Sequence, residues 1–308
     1  MRESRRYHVT HETVYSYGGD VAHAHHLLHL VPREREHQRC MSSHIHLDPV
    51  PGARCDSKDA FGNPIARLEY DRPHSRLEVS TKLDVIVESP ATTELAGIDS
   101  WERVVSRVSY SGRPMQVCDV EAAQFRMQSS YVVLKQMLSD YAEDCFAPGC
   151  TVLFGAEKLM RKIHGDVRYV SGVTDISTSV TEIFESKRGV CQDFAHLMIA
   201  CLRSKGLSAR YVSGYLRTNP GPAAGADETM LVGADASHAW VSVYCPPIGW
   251  VDLDPTNNLL VDTDHVTLAW GRDFGDVSPL RGVIVGGGGH DFSVRVSVVP
   301  IALHRSNA

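Results

Sequence analysis

The chain has 308 residues, which is long enough for a large hydrophobic core and for two domains, and its 43% hydrophobic and 22% charged residues are typical of a globular protein. Its formal net charge of -6 provides no basic surface for nucleic acid or an anionic membrane, and no apolar run approaches the length of a membrane span. The eight cysteines are too scattered for a disulfide scaffold, and the basic first residues lack the apolar stretch of a signal peptide. We therefore expect a cytoplasmic protein that has neither nucleic acid nor membrane as a partner.

The first hundred residues have the period of β-strands. Aromatic and β-branched residues alternate with polar ones in "YHVTHETVYSY" and in "RLEVSTKLDVIVES" (76–89), and turn signals such as "YGGD" and "FGNP" separate the runs. This pattern predicts an antiparallel β domain over residues 1–115.

From about residue 118 the period becomes helical, and strands return after residue 207. Ser179 and Glu182 form a capping-box pattern for a short helix that stops at Gly189. The next helix opens at Cys191 and ends at Gly206. Alternating strands follow, and a last one comes after "GGGG" (286–289). The fold class predicted for the whole chain is α+β.

Cys191 occupies a position that suits a reactive thiol. It lies at the edge of the apolar stripe of its helix and at the helix start, where unpaired N–H groups and the helix dipole favour an anion. Cys201 lies in the middle of the same stripe, so we interpret it as a core residue.

A thiolate nucleophile needs a base, and the base needs an orienting group. In "SHAWVSVY", the two-residue period places His238 and Trp240 on one face, and Asp252 and Asp254 share a face of the next strand. A three-residue loop would place Asp254 beside Trp240 on the face of His238. A four-residue loop would place Asp254 on the opposite face unless a bulge intervened, and the sequence leaves both registers open.

Three stretches, "GVCQDFAHLMIACLRSKGLSARYVSGYL", "ASHAWVSVY" and "GWVDLDPTNN", resemble the catalytic core of the transglutaminase-like superfamily in its bacterial branch. The segment "YHVTHETVYSYGGDVAHAHHLLHLVPRE" resembles the β-rich N-terminal region that accompanies this branch. The resemblance implies a papain-like core over 116–265, in which the cysteine-bearing helix packs on an antiparallel sheet, and a C-terminal extension over 266–308. It also implies that Cys191 is the nucleophile, His238 the base and Asp254 the orienting carboxylate.

Acyl transfer at a protein or peptide amide through a thioester is the activity that this resemblance implies, with either water or an amine as the acceptor. Hydrolysis is slightly favoured, and the alternative is a transglutaminase-fold scaffold whose chemistry is idle. No cofactor and no metal are expected. Asp252 competes with Asp254 as the orienting group. Gln192 is a candidate oxyanion donor beside the Cys191 N–H, and Tyr169 and Trp240 are candidates either for lining the substrate groove or for core packing.

Two further segments allow alternatives. The run "HAHHLLHL" (23–30) has a spacing that would suit metal ligands on one helix face, but a solvated histidine face is preferred. The Gly-, Pro- and Ala-rich segment 219–236 is either a lid over the groove or a surface loop without a role.

Overall fold

A computed structural model describes residues 3–90, 99–112, 114–173, 178–217 and 237–301. A 25-residue strand, β1, runs through the first sheet and pairs along most of its length with a second long strand, β5, in antiparallel register. Residues of β1 alternate between buried and partly exposed from Tyr7 to Thr13, as the period of two requires. The first five strands, in chain order, are β1 (Ser4–Leu28), β2 (Gln38–Asp48), β3 (Ala53–Lys58), β4 (Pro64–Tyr70) and β5 (His74–Glu88).

Helices make up most of the middle of the chain. They are α1 (Trp101–Val108), α2 (Val117–Ala123), α3 (Gln136–Ala142), α4 (Val152–Asp166), α5 (Val180–Ser186), α6 (Cys191–Ser204) and, later in the chain, α7 (Phe274–Val277). Helix α5 begins with the predicted capping box of Ser179 and Glu182. Helix α6 is buried on every side from Asp193 to Arg203 because α3, α4 and α5 surround it together with two strands of the second sheet. Its apolar stripe is therefore only one part of its buried surface. None of the helices within the described ranges combines the length and apolar character that a membrane span requires.

The second sheet carries His238 and Asp254. Its strands are β8 (Ala209–Leu216), β9 (Ser237–Tyr244), β10 (Trp250–Asp254), β11 (Leu259–Leu260) and β12 (His265–Gly271), in the order β11-β10-β9-β8-β12. Two short parallel strands, β6 (Arg168–Tyr169) and β7 (Arg188–Gly189), precede α6. Both faces of the second sheet are buried, since helices cover one and the N-terminal β region contacts the other.

The chain then returns to the first sheet. Strands β13 (Leu280–Gly286) and β14 (His290–Ile301) pair with successive parts of β1, which confirms the predicted last strand. The structure confirms the α+β class, with an antiparallel β-rich N-terminal part and a core of helices on an antiparallel sheet. The boundary predicted between residues 265 and 266 falls inside β12, so this strand of the second sheet is not divided there. The division of the chain into domains stays a prediction.

Side chains of the N-terminal region bond the backbone of β12. The Gln38 amide accepts a hydrogen bond from Thr267 N–H and donates one to Thr267 C=O, each at 2.7 Å. Asn63 does the same with the backbone of Trp270, at 2.8 and 3.0 Å. Both pairs satisfy strand-edge groups that would otherwise be buried without partners. The N-terminal region therefore takes the place of a neighbouring strand along β12.

We predict that Gln38→Ala lowers the free energy of unfolding by about 2–4 kcal/mol, because it removes two buried hydrogen bonds and leaves the N–H and C=O of Thr267 unpaired. Urea denaturation followed by circular dichroism measures this loss. Gln124→Ala, at an exposed glutamine, is the control and should change stability by less than about 0.5 kcal/mol. Equal stability of the two variants would contradict the prediction.

Candidate active site

Cys191 is the first residue of α6 and is half-buried. The Asp193 carboxylate accepts a hydrogen bond from Val190 N–H at 2.8 Å and so caps the helix start. A Cβ at Gly189 would lie 2.7 Å from the Cβ of Asp193, so this close approach requires glycine. These contacts fix the thiol at the end of the helix where the dipole favours an anion.

The connection between β9 and β10 shows which of the two registers allowed by the sequence is adopted. Cys245 N–H bonds to Gly249 C=O at 2.6 Å, which leaves three residues in the loop, and Asp252 is directly opposite Ser242. Asp254 therefore shares a face with His238. The Nε2–H of His238 donates to Oδ2 of Asp254 at 2.9 Å, and both side chains are completely buried.

Cys191 approaches His238 from the other side of the imidazole. The Cys191 thiol lies near enough to His238 to raise the pKa of the imidazole, although by less than Asp254 does. Since Nε2 bonds to Asp254, Nδ1 is the nitrogen left for the sulfur. Nδ1 has no partner at ordinary hydrogen-bond geometry among the described residues, so the sulfur contact is longer or less well aligned than the carboxylate contact. Catalytic hydrogen bonds are often long in the absence of substrate.

Asp254 accepts five hydrogen bonds from the residues that the structure describes. Its Oδ2 accepts from His238, from His265 at 3.2 Å and from Asn257 Nδ2 at 2.7 Å. Its Oδ1 accepts from the backbone N–H groups of Thr256 at 2.9 Å and Asn257 at 3.2 Å. Burial alone would raise the pKa of this carboxyl, but the charge and hydrogen bond of His238, together with His265, hold it well below its usual range. Burial would lower the pKa of His238, and the charge and hydrogen bond of Asp254 outweigh it and raise that pKa well above its usual range.

Asp252, the competing candidate for the orienting group, has a different partner. Its Oδ2 accepts a hydrogen bond from Arg35 at 2.7 Å and a longer one from Trp240 Nε1 at 3.4 Å. Burial would raise the pKa of Asp252, but the charges of Arg35 and Arg210 lower it to about 2. Asp254 rather than Asp252 is therefore the carboxylate that bonds to His238, and its role as the orienting group stays a prediction.

Trp240 does not line a groove in this structure. Its exposed fraction is 0%, and its ring packs between His238 and His265, with centroids 6.2 and 5.2 Å away. Of the two alternatives predicted for Trp240, core packing is therefore the one observed. A Cβ at Gly214, opposite His238, would lie 2.4 Å from the Trp240 ring, so glycine is needed there.

Of the remaining predicted residues, Tyr169 and Gln192 lie near Cys191 and Cys201 lies in the core. Tyr169 and Gln192 are half-buried near the start of α6, and their suggested roles toward substrate stay predictions. Cys201 is buried in the core, and burial raises the pKa of its thiol to about 12. A further histidine of α6, His196, is also buried; it stacks on Tyr131 and accepts a hydrogen bond from the backbone N–H of Phe274. The segment 219–236 lies outside the described residues.

The sequence patterns did not identify His265, although its ring lies as close to the ring of His238 as the ring of Trp240 does. It is the first residue of β12, which pairs with β8 across a long separation in the sequence. The only available signal was a histidine at the start of a strand after the "DPTNN" turn, and no local pattern connects it to Asp254.

The histidine-rich run does not form the helix face that a metal site was assumed to use. Most of the run lies in β1, and His29 follows the end of that strand. His23 and His25 are exposed, whereas His26 and His29 are buried, so the preferred interpretation of a solvated histidine face is also wrong for half of these residues. His29 contacts Asp59 at 3.3 Å. The helical spacing argument for metal binding is therefore wrong, because a strand presents these side chains to different surroundings.

Comparisons with known proteins agree with this architecture. Family models match the bacterial transglutaminase-like N-terminal region at residues 7–86 and the transglutaminase-like superfamily at residues 139–255. An uncharacterised protein of Mycobacterium bovis is 37% identical over 312 residues, covering 98% of this chain and 96% of that protein. The protein-glutamine gamma-glutamyltransferase of Pseudomonas aeruginosa is 36% identical over 74 residues, 24% of this chain and 11% of that enzyme.

A solved structure from Cytophaga hutchinsonii, provisionally described as a cysteine protease, shares the fold. It matches with a TM-score of 0.74 at 18% identity, over 99% of this chain and 93% of that one. The cysteine at the start of a buried helix, with histidine and aspartate on an antiparallel sheet, defines the class of α+β proteins with a papain-like core. Within that class, the chain belongs to the transglutaminase-like superfamily.

We predict that Asp254→Asn destabilises the protein by about 3 kcal/mol near pH 5, because an amide cannot accept hydrogen bonds on both of its terminal atoms and cannot neutralise His238. The pKa of His238 is higher in the folded state than its value of about 6.5 in the unfolded state. His238 therefore stabilises the fold fully below about pH 6.5, and this stabilisation is lost as the pH rises toward the folded-state pKa. The pKa of Asp254 is lower in the folded state than in the unfolded state. Asp254 therefore stabilises the fold fully above about pH 4, and this stabilisation is lost as the pH falls below that value. The stability difference between wild type and variant should therefore narrow at both pH 9 and pH 3.

Urea unfolding at the three pH values measures this difference. Asp56→Asn, at an exposed carboxylate on β3, is the matched control and should show a small difference at every pH. A difference for Asp254→Asn that does not vary with pH would contradict the charge assignment.

Proposed function

We propose that this protein is a cysteine-dependent enzyme that transfers the acyl group of a protein or peptide amide through a thioester on Cys191. The observation that supports this most directly is the contact chain from the Cys191 thiol through His238 to the buried Asp254 carboxylate. A histidine whose protonated form is stabilised by a carboxylate is suited to pairing with a thiolate.

In the proposed first step, the Cys191 thiolate forms a bond to the amide carbonyl carbon, and the carbonyl π electrons move to the oxygen. In this proposal the Cys191 backbone N–H, which belongs to the first residue of α6, stabilises that oxyanion, and the Gln192 side chain is a second candidate donor. When the tetrahedral intermediate collapses, the C–N bond breaks and His238 gives its proton to the leaving amine. The acyl group remains on the sulfur as a thioester.

In the second step, the acceptor attacks the thioester while neutral His238 takes its proton, and the thiolate leaves. Asp254 holds the imidazole in the Nε2–H orientation and stabilises its charged form throughout. Water as acceptor gives hydrolysis of a peptide bond or a Gln side chain, whereas an amine gives a new amide. We favour water slightly, because an amine acceptor requires a second binding site and water does not.

The relatives support acyl transfer and differ in the acceptor that their names imply. The Pseudomonas protein is named for transfer of a γ-glutamyl group, whereas the Cytophaga structure is provisionally described as a protease. The proposed substrate class therefore includes both Gln side chains and peptide amides. Cytoplasmic location is a proposal that rests on the sequence alone.

We predict that iodoacetamide alkylates Cys191 at pH 6 at least about tenfold faster than the exposed Cys55 and Cys118, because the adjacent imidazolium stabilises the reactive thiolate. His238→Ala should remove this advantage while leaving Cys55 and Cys118 unchanged. Peptide mass spectrometry across pH 5–9 measures all three cysteines in one sample. A Cys191 that reacts like Cys55 in the wild type would contradict the enzyme proposal and favour the scaffold alternative.

The acceptor is tested on a protein that passes the alkylation experiment. Casein and a blocked Gln dipeptide serve as acyl donors, with and without monodansylcadaverine as the amine. Release of ammonia or new peptide termini without incorporation of the amine supports hydrolysis. Incorporation that competes with hydrolysis at millimolar amine would overturn the preference for water, and Cys191→Ser should abolish either outcome.

A further inference from the structure

We propose that His265 is a positioning residue of this site, holding the Asp254 carboxylate in the orientation that serves His238. The proposal rests on the proposed function. His265 is 3% exposed, and its Nε2 lies 3.2 Å from Oδ2 of Asp254, the same oxygen that bonds to His238. Two histidines of the site, His238 and His265, therefore bond to the same oxygen of Asp254, and His238 also faces Cys191.

The hydrogen bonds define which ring nitrogen of His265 carries the proton. A carboxylate oxygen only accepts, so Nε2 of His265 must donate to it. The Nδ1 of His265 is buried and has no partner among the described residues. The contact with Asp254 therefore requires a proton on Nε2 of His265.

The contact also determines the shape of the sheet. Two strands, β9 and β8, separate β10 from β12, a span of roughly 14 Å in a flat sheet. The 3.2 Å contact between Asp254 on β10 and His265 on β12 therefore requires the sheet to curl around Trp240, whose ring packs against His265. His265 thus restrains Asp254 from the far side of the curled sheet.

The N-terminal region holds His265 in place. Two residues beyond it on β12, the Thr267 backbone is paired with Gln38, and the Thr267 hydroxyl accepts a hydrogen bond from Arg35 at 2.8 Å. Arg35 also bonds to Asp252 on β10, so it bridges the same two strands as the His265–Asp254 contact. The N-terminal region therefore takes part in positioning the Asp254 carboxylate.

The test compares His265→Phe, which keeps the ring and loses the donor, with His265→Gln, whose amide can still donate to Asp254. The readout is the rate of Cys191 alkylation by iodoacetamide at pH 6, relative to Cys55, which requires no knowledge of the substrate. His265→Phe should slow Cys191 by about tenfold, and His265→Gln should restore the rate to within about threefold of wild type. His29→Phe is the matched control, since it removes a buried histidine that contacts an aspartate at 3.3 Å elsewhere, and it should leave the Cys191 rate unchanged.

The outcomes separate this proposal from the proposed function. If wild-type Cys191 is fast and His265→Phe is equally fast, the positioning role is overturned while the enzyme proposal stands. If His265→Gln is as slow as His265→Phe, the hydrogen bond is not the cause and the proposal is also overturned. If wild-type Cys191 is no faster than Cys55, the proposed function fails, and the positioning role fails with it.

A second measurement on unsubstituted His265 guards against a variant that does not fold. In a ¹⁵N-histidine NMR spectrum of the wild type, His265 should show the Nε2–H tautomer, and its resonances should shift in Asp254→Asn but not in Asp56→Asn. A His265 protonated on Nδ1 alone would overturn the proposal.

Discussion

The buried carboxylate of Asp254 is the constraint on which the rest of the site depends. A carboxylate removed from water is stable only where donors replace its hydration, and here five N–H groups do so. Two of them come from its own turn as backbone N–H groups, and one comes from the Asn257 side chain. The other two are histidines on different strands, and they can meet only because the sheet curls.

Strand β10 carries two buried carboxylates on the same face, and their partners give them different uses. Asp252 is neutralised by Arg35, and a guanidinium does not release its proton in proteins. Asp254 is paired with a histidine, which can release and regain a proton during a reaction. The same residue type, two positions apart, therefore stabilises the structure in one case and is suited to acid–base chemistry in the other.

Much of this arrangement could be predicted from local sequence, and the remainder depends on contacts between distant segments. The helix start at Cys191 and the capping box before it follow from residues within one turn, and the strand period placed His238 and Asp254 on definable faces. The register of β9 and β10 depends on a single loop, for which the sequence allowed two lengths. His265 and Arg35 reach the site from strands or loops far away in the chain, and the complete burial of Trp240 depends on the same packing. The periodicity of apolar residues along the sequence does not predict contacts between such distant segments.

The path of the chain has a consequence for the order in which the protein is assembled. Strand β1 pairs on one side with β5, which follows closely, and on the other with β13 and β14, which come after the entire helical core and second sheet. During synthesis on the ribosome, one edge of β1 must therefore remain without its partner until the final strands emerge. An exposed strand edge is a site for pairing with other chains. The nascent chain thus exposes this strand edge after the segments that form its candidate active site have been synthesised.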